Sequence, residues 1–256
     1  MFSRRSPRFN RRGIGKPTSG GPSNPYGFGS SLKLWLDATD LSVGALGTWS
    51  DKSGNGYDAT GVGATVDANW TGGLKQVVLT GASDSRVALA NGAVTSVFAG
   101  DDQPHTCMFV LQFQTLPIAY HVILGLGQTV GVAQYELYST NSTHLPTVFR
   151  KDGVAATSAV ASIADVYDTA EKLVTLLHTG TTVRHYDDGV LWDRGDSAQD
   201  VGVMNVDYGS LGARTEPTVS LWAPLDIAEV RMWNVALSDV DRAAEEAALK
   251  AKWGTP

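Results

Sequence analysis

From Leu32 to Trp233 the chain is written as short apolar runs closed by turn residues, and this pattern excludes most architectures at once. Runs over 32–37, 75–80, 106–115, 121–126, 134–139, 147–150, 172–178, 182–186, 190–193 and 228–233 read as β-strands. The opening run alternates cleanly, with Leu32, Leu34 and Leu36 on one face and Lys33, Trp35 and Asp37 on the other. Ten or more short strands without interleaved long helices predict two stacked antiparallel sheets, an all-β sandwich. Asp187-Asp188-Gly189 lies between two of these runs and supplies the residues of a tight hairpin turn. In Trp49-Ser50-Asp51-Lys52-Ser53-Gly54-Asn55-Gly56, the glycines suit positive φ. Asp51, Ser53 and Asn55 there can bond back to nearby backbone, so a structured loop is expected.

Two ends depart from this pattern. Residues 238–253 change period to an alanine-rich helix, with Ser238 as N-cap, Asp239 and Asp241 near its positive end, Lys250 and Lys252 near its negative end, and Gly254 as stop. Residues 1–30 form a Gly/Ser/Pro-rich arm that is too polar to fold alone, and the folded body is expected over 31–256. Residues 1–33 hold seven basic side chains and no acid. The remainder holds the other 13 of 20 basic side chains and all 26 acids, so a +7 segment precedes a −13 body. Arg4, Arg5, Arg8, Arg11, Arg12 and Lys16 are the candidate partner-binding residues of this arm. An acidic groove on a protein scaffold, a nucleic acid, or solvent alone would each suit them.

Cys107, the single cysteine, lies in an apolar run and permits no internal disulfide, which fits folding in a reducing cytoplasm. Neither a secretory apolar run after the basic start nor a stretch of bilayer-crossing length is visible. No membrane association is therefore expected.

Three segments, Leu34-Trp35-Leu36-Asp37-Ala38, the loop 49–56, and Ile227-Ala228-Glu229-Val230-Arg231-Met232-Trp233-Asn234 running into Leu237-Ser238, occur in this order. Together they resemble the concanavalin A-like, laminin-G jelly-roll family common in bacterial surface and bacteriophage virion proteins. The resemblance implies a jelly-roll sandwich over roughly 31–254. It also implies that a structural calcium could be held through Asp51, Asp226 and Glu229, although no residue is assigned as a metal ligand and no cofactor is expected. Some members of the wider superfamily are glycoside hydrolases, whose retaining chemistry needs two carboxyl groups about 5–5.5 Å apart.

Catalytic patterns are sparse. The glutamates Glu136, Glu171, Glu216, Glu229, Glu245 and Glu246 form no alternating cluster along a strand. His105, His121, His144, His178 and His185 lack metal-ligand spacing, and neither a nucleophile elbow nor a phosphate loop occurs. No catalytic residue is assigned. Trp70, Trp192, Trp222 and Trp233 are candidates by type for stacking on sugar rings, against the alternative that a sandwich uses its tryptophans for packing. The leading expectation is a non-enzymatic bacteriophage virion structural protein, a head decoration or a tail-fibre component. Its arm would anchor it to other virion proteins, its sandwich would be exposed toward host glycans, and symmetry would favour a homo-oligomer. The alternative is a free carbohydrate-binding or adhesion module, and the third reading is a degenerate glycoside hydrolase.

Overall fold

The computed structural model describes residues 30–82, 84–115, 121–128, 134–139, 146–152, 155–160, 168–191, 197–198, 203–215 and 222–256. Arg4, Arg5, Arg8, Arg11, Arg12 and Lys16 of the arm, together with Trp192 and His144, lie outside the described residues.

Short alternating runs become strands because each can bury one side and still pair its backbone, and the result is two antiparallel sheets packed face to face. The first sheet has ten strands, ordered Val190–Leu191, Thr182–Asp187, Lys172–His178, His105–Phe113, Pro224–Trp233, Leu74–Thr80, Thr65–Trp70 and Gly44–Ala45. Leu32–Asp37 also joins it alongside Pro224–Trp233, and Ser197–Ala198 alongside Thr182–Asp187. The second sheet has eight, ordered Ala155–Val160, Pro146–Asp152, Gln134–Ser139, His121–Gly127, Tyr208–Leu211, Arg86–Leu89, Ala59–Val62 and Thr48–Trp49. Successive strands switch layers, as when Arg86–Leu89 gives way to His105–Phe113 and then to His121–Gly127. The two layers therefore share one core, centred on Leu34, Leu36, Phe109, Leu124 and Val230.

The closing strand Pro224–Trp233 organises the first sheet. Its first half pairs with Leu74–Thr80 (Asp226 opposite Val78), and its second half pairs with Leu32–Asp37 (Arg231 opposite Trp35). Its other edge pairs throughout with His105–Phe113, across an irregularity between Ile227 and Glu229. The expected run 228–233 is thus longer, because Pro224 stands at the strand start where a missing N–H is tolerated.

Two helices flank the sandwich. The helix α1 (Asn91–Phe98) packs against Leu32–Asp37 of one sheet and Tyr208–Leu211 of the other, with Ala93, Val94, Val97 and Phe98 buried. Its glycine, threonine and valines are weak helix formers, so it exists by burial of that face and carries little local signal. The helix α2 (Asp239–Trp253) has the predicted caps. Ser238 Oγ accepts from Asp241 N at 3.2 Å, and Gly254 stands at φ 73° with its N–H on the Lys250 carbonyl at 2.9 Å. Its buried stripe is Arg242, Glu245, Glu246, Leu249 and Trp253.

The predicted turns are also present. Asp188 (φ 49°) and Gly189 (φ 80°) join Thr182–Asp187 to Val190–Leu191, the paired positive φ values of a type I′ hairpin. Gly54 and Gly56 carry positive φ in the loop that follows Trp49.

Candidate functional site

The three sequence segments that carry the family resemblance meet in one polar knot on the α2-covered face of the first sheet. Glu229, only 1 % exposed, lies at its centre. Its Oε1 accepts from Trp35 Nε1 at 2.8 Å and from Arg231 Nε at 2.7 Å. Its Oε2 accepts from Lys252 Nζ at 2.5 Å and from Trp253 Nε1 at 2.7 Å. The second arm of the Arg231 fork reaches Glu245 of α2 at 2.5 Å, and its guanidinium lies 4.9 Å from the Trp35 ring centre. Lys252 and Lys52 both reach Asp37, at 2.8 and 2.7 Å. Burial works against the charge of Asp37, but hydrogen bonds from Lys252, Lys52 and Thr39 outweigh it and hold the carboxyl well below the usual carboxylate range.

The loop is tied to the same knot. Asp51 accepts from Trp35 N, Ser53 N, Ser53 Oγ and Tyr57 N within 3.0 Å, while the Asn55 amide donates to the carbonyls of Leu32 and Lys33. The motif is a fastening between the first strand, the last strand and the final helix. Of the acids to which calcium could be attributed, Asp51 and Glu229 are therefore engaged by protein donors. Asp226 accepts from Gln114 Nε2 at 2.8 Å on a different stretch of the closing strand. Burial pushes Asp226 up to about 6, against the Gln114 bond, with Asp67 adding to the rise. Among the described residues no group of three or more His, Cys, Asp or Glu could hold a metal ion.

Sequence spacing did not reveal a histidine pair that the sheet brings together. His105 and His178 lie directly opposite on neighbouring strands, their rings stacked with centres 5.0 Å apart. Their Nδ1 atoms both lie at the Gln103 carbonyl, at 2.8 and 3.3 Å. Burial and then the neighbouring His178 push His105 down to about 3, so this ring is neutral at physiological pH. No linear motif could show a pair separated by more than seventy positions.

Among the six described tryptophans the structure separates packing from surface. Trp49, Trp70, Trp233 and Trp253 are buried, and Trp70 donates to the Trp253 carbonyl at 3.1 Å. Trp35 is held in the knot. Of the candidates named for sugar stacking, Trp70 and Trp233 are thus core, and Trp222 alone among the described ones is half-buried.

Trp222 stands where three connections converge. The N–H of the next residue, Ala223, bonds to the Gly212 carbonyl at 2.9 Å, and Pro224 then pairs with Thr80. The turn after Thr80 is closed by Thr80 N on Ser85 Oγ at 2.9 Å and Ser85 N on the Ala82 carbonyl at 3.1 Å. Gly81, at φ 71°, lies so close to Pro224 that a Cβ would meet its ring and nitrogen at 3.1 Å. Asp84 holds φ 76°, a left-handed conformation uncommon outside glycine that a surrounding fold must impose. This turn delivers Arg86 beside Trp222, with the guanidinium 5.9 Å from the ring centre, at the outer limit of a cation–π contact. Asp84 is 79 % exposed, and its carboxylate stands 3.6 Å from Arg86, outside hydrogen-bond reach. An aromatic face, a cation and a carboxylate thus share one rim of the sandwich.

No protein-family model and no curated protein sequence matches the chain. Solved structures do share its fold. The binding domain of Paraclostridial mosquitocidal protein 1 superposes with a TM-score of 0.67 at 12 % identity, covering 89 % of this chain and 56 % of that one. A botulinum neurotoxin type C structure, described as depending on two ganglioside molecules to get into cells, gives 0.64 at 14 % identity and covers 89 % of this chain and 55 % of its own. Domain 4 of AbnA, a GH43 extracellular arabinanase from Geobacillus stearothermophilus, in complex with arabinotriose, gives 0.62 at 14 % identity, covering 85 % of this chain and 98 % of that domain. The chain spans about half the length of the two toxin structures and almost the whole length of the arabinanase domain. At these identities the likeness establishes the β-sandwich fold, and a role in a virion draws no support from it. No helix among the described residues is long and apolar enough to cross a membrane.

Proposed function

We propose that this chain is a carbohydrate-binding β-sandwich module that holds glycan at the rim around Trp222 without cleaving it. The observation that carries the proposal is the half-buried Trp222 with Arg86 beside its ring, since every other described tryptophan is committed to the core or to the knot. An indole face gives the C–H surface of a sugar ring a flat apolar contact, while polar groups beside it take the hydroxyls. The fold neighbours support the choice of ligand, because one carries arabinotriose and another is described with gangliosides. The placement of the acids supports binding without hydrolysis. Glu229 and Glu245 are spent on Arg231, Glu246 on Arg242, and Glu171 on Thr71 N.

The test is calorimetry of the full chain against arabinotriose and a ganglioside head-group oligosaccharide, repeated with Trp222→Ala. Saturable binding that the substitution weakens at least about tenfold, roughly 1.4 kcal/mol, supports the proposal. Absence of binding to any glycan on a broad array, or binding unaffected by the substitution, overturns it. Hydrolysis of a bound oligosaccharide that is abolished by replacing one acid would overturn the non-catalytic part.

A further inference from the structure

Arg86 is four-fifths buried, at 22 % exposed, yet among the described residues none of its five N–H groups makes a hydrogen bond. Two other largely covered arginines are spent. Arg231 is clasped between Glu229 and Glu245, and Arg242 bonds Glu246 and covers the Tyr186 ring at 3.7 Å. None of the Arg86 guanidinium nitrogens is buried without a partner, so the fork reaches solvent with donors open to an acceptor, beside the ion-pair distance of 3.6 Å to Asp84.

The strand fixes the fork. Arg86 opens Arg86–Leu89 and pairs with Val62, while the closed turn from Thr80 to Ser85 sets its approach. One carboxylate, Asp84, is near enough to offset part of the charge but too far to accept from the fork. The acceptor that fits a planar guanidinium best is another carboxylate, taken through two parallel N–H bonds. The body also carries a large acidic excess, so attraction of an anion here is local to Arg86 and owes nothing to the overall field.

We infer that the Trp222 rim selects a sugar bearing a carboxylate. Arg86 takes the acid group, Trp222 takes the ring face, and the exposed Asp84 accepts from a hydroxyl. This inference rests on the proposed glycan site and adds the class of sugar.

The experiment measures affinity of the full chain for matched pairs, sialyllactose against lactose and an oligogalacturonate against its methyl ester, at low and high salt. Each is repeated with Arg86→Gln, Arg86→Lys and Trp222→Ala after melting temperatures confirm folding. The expected result is at least about tenfold tighter binding of one acidic member over its neutral partner. That preference should shrink with salt, vanish in Arg86→Gln and survive in part in Arg86→Lys. A sialyl-only or uronate-only preference identifies which carboxylate sugar is meant. Equal binding of acidic and neutral partners, or a preference that persists in Arg86→Gln, overturns the inference while the glycan site stands. Absence of binding to all four sugars, or binding indifferent to Trp222→Ala, removes the site itself.

Discussion

The same three residue types, a tryptophan, an arginine and a carboxylate, come together twice in this molecule with opposite consequences. In the knot, Arg231 lies 4.9 Å from the Trp35 ring centre and bonds Glu229 and Glu245, both about 1 % exposed. At the rim, Arg86 lies 5.9 Å from Trp222, and its nearest acid stands 3.6 Å off in solvent. A saturated group of this kind under a helix is architecture, because each charge there depends on its partner remaining in place. An unsaturated one at a loop junction suits the proposed binding position, because no described residue gives its donors an acceptor within hydrogen-bond reach. Saturation of the hydrogen bonds, more than residue identity, separates the two.

The strongest way to break the comparison is to remove the acid from the knot. Glu229→Ala leaves Arg231 and Lys252 short of a partner and two indole N–H groups unsatisfied, and should destabilise the fold by about 3–5 kcal/mol in urea titration. A loss below about 1 kcal/mol would show the knot to be ornamental. Acid should act next. The folded-state pKa of His105 lies below its value of 6.5 in the unfolded chain, so the unfolded state takes up the proton first. The stability contributed by the neutral ring is complete above about pH 6.5 and is lost as pH falls toward about 3, at up to about 1.4 kcal/mol per pH unit. Urea titrations at pH 7.5 and 5 should show this slope, and His105→Gln should flatten it.

At the rim the direction reverses. Trp222→Ala should leave the urea midpoint within about 0.5 kcal/mol of the parent while weakening glycan binding at least about tenfold. A large loss of stability would turn Trp222 into another packing residue. Gly189→Ala, which touches neither region, should cost about 1 kcal/mol because φ 80° in the I′ turn is strained for alanine. Deleting residues 1–30 should change stability least of all, with the sandwich melting unchanged. A clear fall would mean that the basic arm is part of the fold.

Much of the fold was legible along the chain. The runs 32–37, 75–80, 121–126 and 172–178 became strands at nearly those bounds, and the Asp188-Gly189 turn and the Ser238 and Gly254 caps stand where predicted. Short strands such as Thr48–Trp49, Gly100–Asp101 and Val203–Met204 were not legible, nor was the helix α1. Two residues carry no period, and α1 is held by what it covers. For the site, the tryptophans were nameable by type but not sortable. Trp70, Trp222 and Trp233 look alike until burial divides them, and Arg86 belongs to no motif that would assign it a role.

What the sequence determined by itself is local: strand alternation, a turn that demands positive φ, helix caps, and a charge asymmetry between arm and body. Each depends on residues within a few positions of one another, where the φ/ψ preferences and side-chain reach of single residues decide the outcome. Only the tertiary structure decided which polar groups are spent. The bond from Trp35 to Glu229 spans 194 positions, and His105 meets His178 only because two strands happen to be neighbours in the sheet. Likewise, only the fold decides that Arg86 meets no hydrogen-bond acceptor among the described residues. Hydrogen bonding and burial are satisfied in space, so the difference between a fastening and a binding site appears once the chain has folded.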